Sequence, residues 1–206
     1  MKDLSVVIQA GGQSRRMGTD KALVSFGGVT LVEYVLMQLS GWGEETLIIS
    51  NNPEFPDLGV PVVRDVIQGV GALGGLHTAL VHARFDKVML LAVDMPFVHR
   101  PLMEHLTGLV ENYDAVIPRW QDEEYAEPFR AVYKRTCLEP VAEALGRGER
   151  RMISFYPQVA VRLVEPGEVA EFDPKGWTFT NANTPEELAA AEALRPEFER
   201  AQAGWG

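Results

Sequence analysis

Cys137 is the only cysteine in the 206-residue chain. No intramolecular disulfide can form, which excludes a disulfide-stapled miniprotein and fits a reducing compartment. No stretch approaches the ~18 consecutive apolar residues of a membrane-spanning helix. The opening MKDLSVVIQAGG has too short an apolar run for a secretory leader and no small-residue cleavage site, so a cytoplasmic location without a membrane partner is expected. Positive charge is scarce: Lys and Arg number 19 against 29 Asp and Glu, a formal net charge of −10. That balance argues against a general nucleic-acid or anionic-membrane binder and leaves room only for a local cationic cluster that grips phosphates. His77, His82, His99 and His105 show no HExxH or other metal-ligand spacing and read as structural. No repeat, low-complexity tract or linker interrupts the chain. Cys137 itself lies at a helix start, Thr136-Cys137-Leu138-Glu139, and reads as a packing residue rather than a nucleophile.

What is present is an ordinary globular composition, 46% hydrophobic and 23% charged, long enough to bury roughly 70% of its unfolded surface. Short β-branched runs alternate with stretches of helical periodicity. Strands are predicted at Leu4–Ala10, Thr46–Ser50, Val60–Arg64, Lys87–Val93, Ala115–Ile117, Phe129–Tyr133 and Ala160–Val164. Helices are predicted at Leu31–Leu39, Gly74–Arg84, Pro101–Glu111 and Leu138–Leu145. A last helix runs to about Arg200, with Asn183 as its N-cap and Pro185 in its first turn. The run KVMLLAV, apolar after its opening Lys87, suits the centre of a parallel sheet. The expectation is one α/β domain spanning residues 1–206, a three-layer sandwich around a mostly parallel sheet. In such sheets ligands sit beyond the carboxyl ends of the strands.

The first strand ends in Ala10-Gly11-Gly12-Gln13-Ser14-Arg15-Arg16-Met17-Gly18-Thr19-Asp20-Lys21. Glycines let backbone amides approach an anion, and Ser14, Arg15, Arg16 and Lys21 add donors and charge around the same loop, so a phosphate is the expected ligand. Lys21 follows Asp20 and precedes Ala22, which excludes a Walker A loop. It reads as an exposed loop lysine whose loss would barely touch stability. The central strand ends at Asp94, where a carboxylate projects into the ligand crevice and can serve Mg²⁺ together with substrate phosphate oxygens. A literal GxGxxG, Gly69 to Gly74, suggests an NAD-binding oxidoreductase, but Val66, Ile67 and Gln68 separate it from its strand, whereas the fingerprint must follow directly.

The string AGGQSRRMGTDKAL closely resembles the signature loop of nucleotidyltransferases built on a glycosyltransferase-A-like sheet. Within that group the chain is most similar to the MobA-like NTP transferases, the molybdenum cofactor guanylyltransferases. The resemblance extends through Asp65, Gly71-Ala72-Leu73-Gly74-Gly75, Val93-Asp94-Met95-Pro96-Phe97, Glu127-Pro128, Gly148-Glu149-Arg150-Arg151 and Phe179-Thr180-Asn181-Ala182-Asn183-Thr184-Pro185, about Ser5 to Leu188. It implies a nucleotide-diphospho-sugar-transferase architecture, GTP and molybdopterin as substrates, Mg²⁺ on Asp94, and transient contact with molybdenum cofactor proteins. It also implies nucleotide contacts at Gln9, Ala10, Gly11, Gly12, Ser14, Arg15, Lys21, Ser50, Asp65, Gly74 and Asp94. Arg150, Arg151, Asn181 and Asn183 become candidates for the acceptor. Gln9 stands where the family commonly has Leu, and Ser50 where a member carries Asn. Both positions bear on the choice of base, so a CTP-using sister, or one acting on a sugar phosphate or another small phosphate, stays open beside the guanylyltransferase.

No Ser-His-Asp or Cys-His set is apparent, and phosphoryl-type transfer needs positioning and charge neutralisation more than covalent help. The catalytic assignment is therefore Lys21 and Arg15 for the departing pyrophosphate and Asp94 for the metal.

Overall fold

The computed structural model describes residues 1–11, 20–121 and 126–204. Its centre is a seven-stranded sheet with the order β5-β4-β1-β6-β8-β7-β9. These strands are β1 (Leu4–Gln9), β4 (Glu45–Ile49), β5 (Val62–Val63), β6 (Lys87–Ala92), β7 (Ala115–Pro118), β8 (Arg130–Lys134) and β9 (Val161–Val164). β1 pairs in parallel with β4 and β6, β4 with β5 and β7 with β9, while β8 runs antiparallel to both β6 and β7. A small hairpin of β2 (Ser25–Phe26) and β3 (Val29–Thr30) stands apart from the sheet.

The inner strands β1 and β6 are apolar on both faces because helices cover both faces of the sheet. Val6 and Ile8 of β1 pack with Val32 and Val35 of α1 (Leu31–Gln38), Leu102 and Leu106 of α3 (Arg100–Leu109), and Phe198 of α6 (Pro185–Ala203). Val7, on the opposite side of the pleat, packs with Leu73, Leu76 and Leu80 of α2 (Ala72–His82) and with Val141 and Ala144 of α4 (Leu138–Gly146). This is the expected three-layer arrangement. Cys137 is buried at the start of α4, its thiol 3.2 Å from the Asp114 carbonyl and pushed up to about 12 by burial, which suits packing and not nucleophilic chemistry.

The differences from the sequence reading are local. The third predicted strand shrinks to Val62–Val63, and the hairpin of β2 and β3 and the short helix α5 (Pro166–Phe172) are additional. Two-residue strands carry no periodicity to read. The cap of α6 is Thr184 rather than Asn183: Thr184 is extended, and its hydroxyl accepts the Glu187 amide at 3.2 Å. Pro185 disfavours helical geometry in the residue before it, so the cap falls immediately ahead of the proline and the Asn183 side chain is free to turn elsewhere.

Trp120 follows β7, stacks on Phe179 (5.4 Å between centroids, 2° between planes) and lies flat against Gly176. Gly176 has φ +63, and a Cβ there would come within 2.1 Å of the indole. We expect Gly176→Ala to destabilise the protein by about 2 kcal/mol and to lower Tm by about 4–8 °C in calorimetry. A Tm within about 1 °C of the wild type would show that the ring is not held there.

Candidate active site

Register determines which residues meet. Gln9 lies opposite Ile49 on one side and Ala92 on the other, so the segments leaving β1, β4 and β6 emerge together at the carboxyl edge. Two hydrogen bonds extend this pairing past the strand ends, Ala10 N to Ile49 O at 2.9 Å and Val93 N to Gln9 O at 3.1 Å. A cavity of about 270 Å³ opens there, lined by Gln9, Ala10, Gly11, Lys21, Asp94 and Asn181 among others.

Lys21 starts a 3₁₀ turn, Lys21–Leu23, capped by Asp20. The Asp20 carboxylate accepts the Ala22 amide at 3.1 Å and the Asn52 side-chain amide at 2.8 Å, which ties the turn to the segment after β4. Held this way, Lys21 is not the exposed loop lysine its sequence context suggests: its side chain is only 11% exposed. Its ammonium donates to Asp94 Oδ2 at 3.0 Å and to Asn183 Oδ1. One cation therefore joins the segment after β1, the tip of β6 and the loop before α6. Asp94 is also fixed through its backbone, its carbonyl accepting the Ala182 amide at 2.8 Å.

Among the described residues the structure thus brings together Gln9, Ala10, Gly11, Lys21, Asp94 and Asn181 at the cavity, with Asn183 joined through Lys21. Ser50, Asp65 and Gly74 lie near the neighbouring strand ends without lining it. Ser50 is buried and its hydroxyl accepts the Asn52 amide at 3.2 Å. Asp65 and Asn51 exchange two bonds of 2.6 and 3.1 Å. Gly74 packs the start of α2, where a Cβ would come within 2.3 Å of Val70, and at Gly75 a Cβ would come within 2.5 Å of Gln9 Oε1. That oxygen is buried without a hydrogen-bond partner among the described residues. Arg150 and Arg151 are exposed between α4 and β9 and do not line the cavity. Gly12, Ser14 and Arg15 lie outside the described residues.

Glu127 and Phe129 also line the cavity, although neither is among the site residues assigned from the sequence: Glu127 stands only in the Glu127-Pro128 match and Phe129 only in a predicted strand. Burial pushes the Glu127 carboxyl above its usual range, opposed by the Phe129 amide and by Arg130, with the charge of Asp94 adding to the upward push. Arg130, behind them, is fully buried. Its signal in the sequence, a charge inside the strand-like run Phe129–Tyr133, becomes readable only once β8 is known to be an interior strand.

As to what the site can hold, Asp94 offers a carboxylate whose Oδ1 has no hydrogen-bond partner among the described residues, and Glu127 shares its cavity. Among the described residues no group of three or more His, Cys, Asp or Glu side chains is placed to bind a metal. That donor set suits a hard cation held by one or two carboxylates and completed by phosphate oxygens; it does not suit an all-protein cage.

A family model, MobA-like NTP transferase domain, matches residues 6–161. A Pelotomaculum thermopropionicum protein named "Probable molybdenum cofactor guanylyltransferase" is 35% identical over 189 residues, 91% of each chain. A Carboxydothermus hydrogenoformans protein of the same name is 32% identical over 185 residues, 90% of this chain and 93% of that one. Among solved structures, molybdopterin-guanine dinucleotide biosynthesis protein A of Archaeoglobus fulgidus superposes with a TM-score of 0.79 at 28% identity, covering 94% of this chain and 99% of that one. The 2-C-methyl-D-erythritol 4-phosphate cytidylyltransferase of Thermus thermophilus, at 21% identity and a TM-score of 0.69 over 93% of this chain and 98% of that one, shares the fold.

Proposed function

The chain belongs to the MobA-like NTP transferase family and is a nucleotidyltransferase, and from that premise we propose that it transfers GMP from GTP to the phosphate of molybdopterin. The products are the guanine dinucleotide form of the cofactor and pyrophosphate. The observation that carries this reading is the Lys21 ammonium joined to Asp94 and Asn183 at the carboxyl edge of the sheet, in a cavity with room for phosphates.

In the reaction an oxygen of the acceptor phosphate attacks the α-phosphorus of GTP in line. The new bond joins that oxygen to the α-phosphorus, the bond from the α-phosphorus to the bridging oxygen of the β-phosphate breaks, and pyrophosphate leaves. A phosphate is already ionised near neutral pH, so no general base is needed. Lys21, with the Gly11 amide and the assigned Gly12, Ser14 and Arg15, neutralises charge on the triphosphate and the departing pyrophosphate. Asn181 and Asn183 orient the acceptor, and Gln9, Ala10, Ser50, Asp65 and Gly74 form the nucleoside end; Arg150 and Arg151 remain acceptor candidates for its more distant parts. Nucleotidyltransferases of this family generally use a divalent metal. Asp94, with Glu127 beside it, would hold Mg²⁺, and when bound that ion supplies neutralisation between the anionic acceptor and the α-phosphate.

In this reading residues 1–206 act as one nucleotidyltransferase domain in the cytoplasm, with small-molecule substrates, no nucleic-acid partner and transient contact with molybdenum cofactor proteins. No helix among the described residues is long and apolar enough to cross a membrane.

Because Gln9 and Ser50 depart from the common pattern at the nucleoside end, base choice is the sharpest test. Mg·GTP is expected to raise Tm more than Mg·ATP or Mg·CTP. A ligand at 100 times its Kd stabilises by roughly 2.7 kcal/mol, worth about 5–10 °C for a chain of this size. Pyrophosphate release with GTP and molybdopterin then tests the transfer. An equal or larger shift with CTP would replace the guanylyl reading by a cytidylyl one.

A further inference from the structure

Arg130 is a fully buried arginine that the proposed chemistry does not use. It opens β8, where its Cα pairs with Leu91 of β6. Its Nε donates to the carbonyl of Thr178 at 3.2 Å and its Nη2 to the carbonyl of Ala92 at 3.3 Å. Nη1 is buried with no hydrogen-bond partner among the described residues. Burial lowers the guanidinium to about 10, still cationic at neutral pH, and Glu127 and Asp94 oppose that shift. No carboxylate among the described residues comes within ion-pair distance of it, so this is a buried charge held by two backbone carbonyls.

Such a group is costly. An apolar side chain of similar size commonly serves stability as well as or better than a buried charge. Stability alone therefore does not account for an arginine here, whereas the two carbonyls it joins do. Ala92 ends the strand that delivers Asp94, and Thr178 is the middle residue of a 3₁₀ turn, Trp177–Phe179, that leads into the segment bearing Asn181 and Asn183. The planar fork spans two backbone segments that meet again at the Ala182 amide on the Asp94 carbonyl and at the Lys21 ammonium.

We propose that Arg130 is a positioning residue for nucleotidyl transfer, clasping the Ala92 and Thr178 carbonyls so that the strand tip bearing Asp94 and the loop bearing Asn181 and Asn183 keep one fixed separation. The proposal rests on the reaction proposed above and adds what keeps its donor and acceptor halves in register. A misplacement of about 1 Å in such a site costs on the order of 10²-fold in rate.

The test compares the wild type with Arg130→Met, which keeps the bulk and removes the donors, and with Arg130→Lys, which keeps the charge but has no planar fork to reach both carbonyls. Hydrogen exchange in the full-length protein without substrate reads the clasp directly. In both variants the Ala182 amide is expected to exchange at least about 10-fold faster while Val7 and Ile48 in the sheet centre are unchanged. In steady-state kinetics kcat is expected to fall about 10- to 100-fold, with KM for GTP within about twofold because the nucleoside end is built from other segments. Arg130→Lys is expected to recover less than half of the lost kcat. Exchange that rises uniformly through the sheet, kcat within about twofold of wild type, or full recovery in Arg130→Lys would each overturn the clasp. The two proposals fail separately: faster Ala182 exchange beside a wild type that releases no pyrophosphate from GTP and molybdopterin leaves the clasp standing and removes the reaction.

Discussion

Asp94→Asn is expected to lower the rate of pyrophosphate release by about 10³-fold or more while leaving the fold in place. The substitution keeps the shape of the side chain and removes its charge. The backbone contact that anchors this position, the Asp94 carbonyl accepting the Ala182 amide at 2.8 Å, does not depend on the carboxylate. Asn183 continues to accept from Lys21, so the lysine keeps one of its two partners. What disappears is the anionic anchor that a divalent cation needs at this edge of the sheet, and the anionic acceptor then meets an unneutralised α-phosphate. Like charges a few ångströms apart in a partly dry site repel by several kcal/mol, and each ~1.36 kcal/mol is a tenfold change in rate. A turn-forming aspartate would behave differently, because asparagine suits turns equally well and activity would persist. Titrating pyrophosphate release against Mg²⁺ for both proteins separates the two accounts. Near-normal turnover with an unshifted Mg²⁺ midpoint would remove Asp94 from the mechanism.

The architecture was legible because it is written in long-range pattern. From Val88 onward KVMLLAV is apolar on both faces since β6 lies inside a sheet covered on both sides, and that run alone located the strand tip that carries Asp94. The donors that surround Asp94 were less legible. Nothing near Lys21 in the chain announces its burial: the side chain is enclosed by Asp94 and Asn183, partners brought in from far along the sequence, and the Asp20 cap that aims it depends on Asn52. Asn183 read as a helix cap because Pro185 follows closely, but a proline in the first helical position puts the cap on the residue just before it, so Thr184 takes the cap, and only the tertiary contact to Lys21 shows that the asparagine belongs to the site. Arg130 was hidden for the opposite reason. A charge at a strand end ordinarily points to water, and only the sheet order, with β8 between β6 and β7, shows that this one has none. Motifs thus marked the strand-end residues, and tertiary contacts supplied the residues that hold them at fixed spacing.

Lys21→Ala is expected to cost about 10² to 10³ in turnover, and its burial changes the companion expectation for stability. An exposed lysine would leave Tm unmoved on removal. This ammonium instead donates to two oxygens, at Asp94 and at Asn183, and its loss strips both of a common donor. An unsatisfied buried acceptor costs about 1–3 kcal/mol, but the Asp94 side chain is 32% exposed and water can replace part of what is lost, so the lower end of that range applies. At about 2–4 °C per kcal/mol for a chain of this length, Tm should fall by roughly 2–5 °C. The rate effect is larger because the same group faces charge that builds on the departing pyrophosphate, and removing one preorganised donor from such a site typically costs 10² to 10³ in kcat. Lys21→Arg should recover most of the stability and little of the rate, since a planar fork can pair with Asp94 but does not put a compact charge at the same point. Calorimetry and pyrophosphate release, both measured well below the melting range, read the two effects independently. A Lys21→Ala protein with full turnover would end the assignment of this lysine to the phosphates, and one with unchanged Tm would show that its contacts to Asp94 and Asn183 add nothing to the fold.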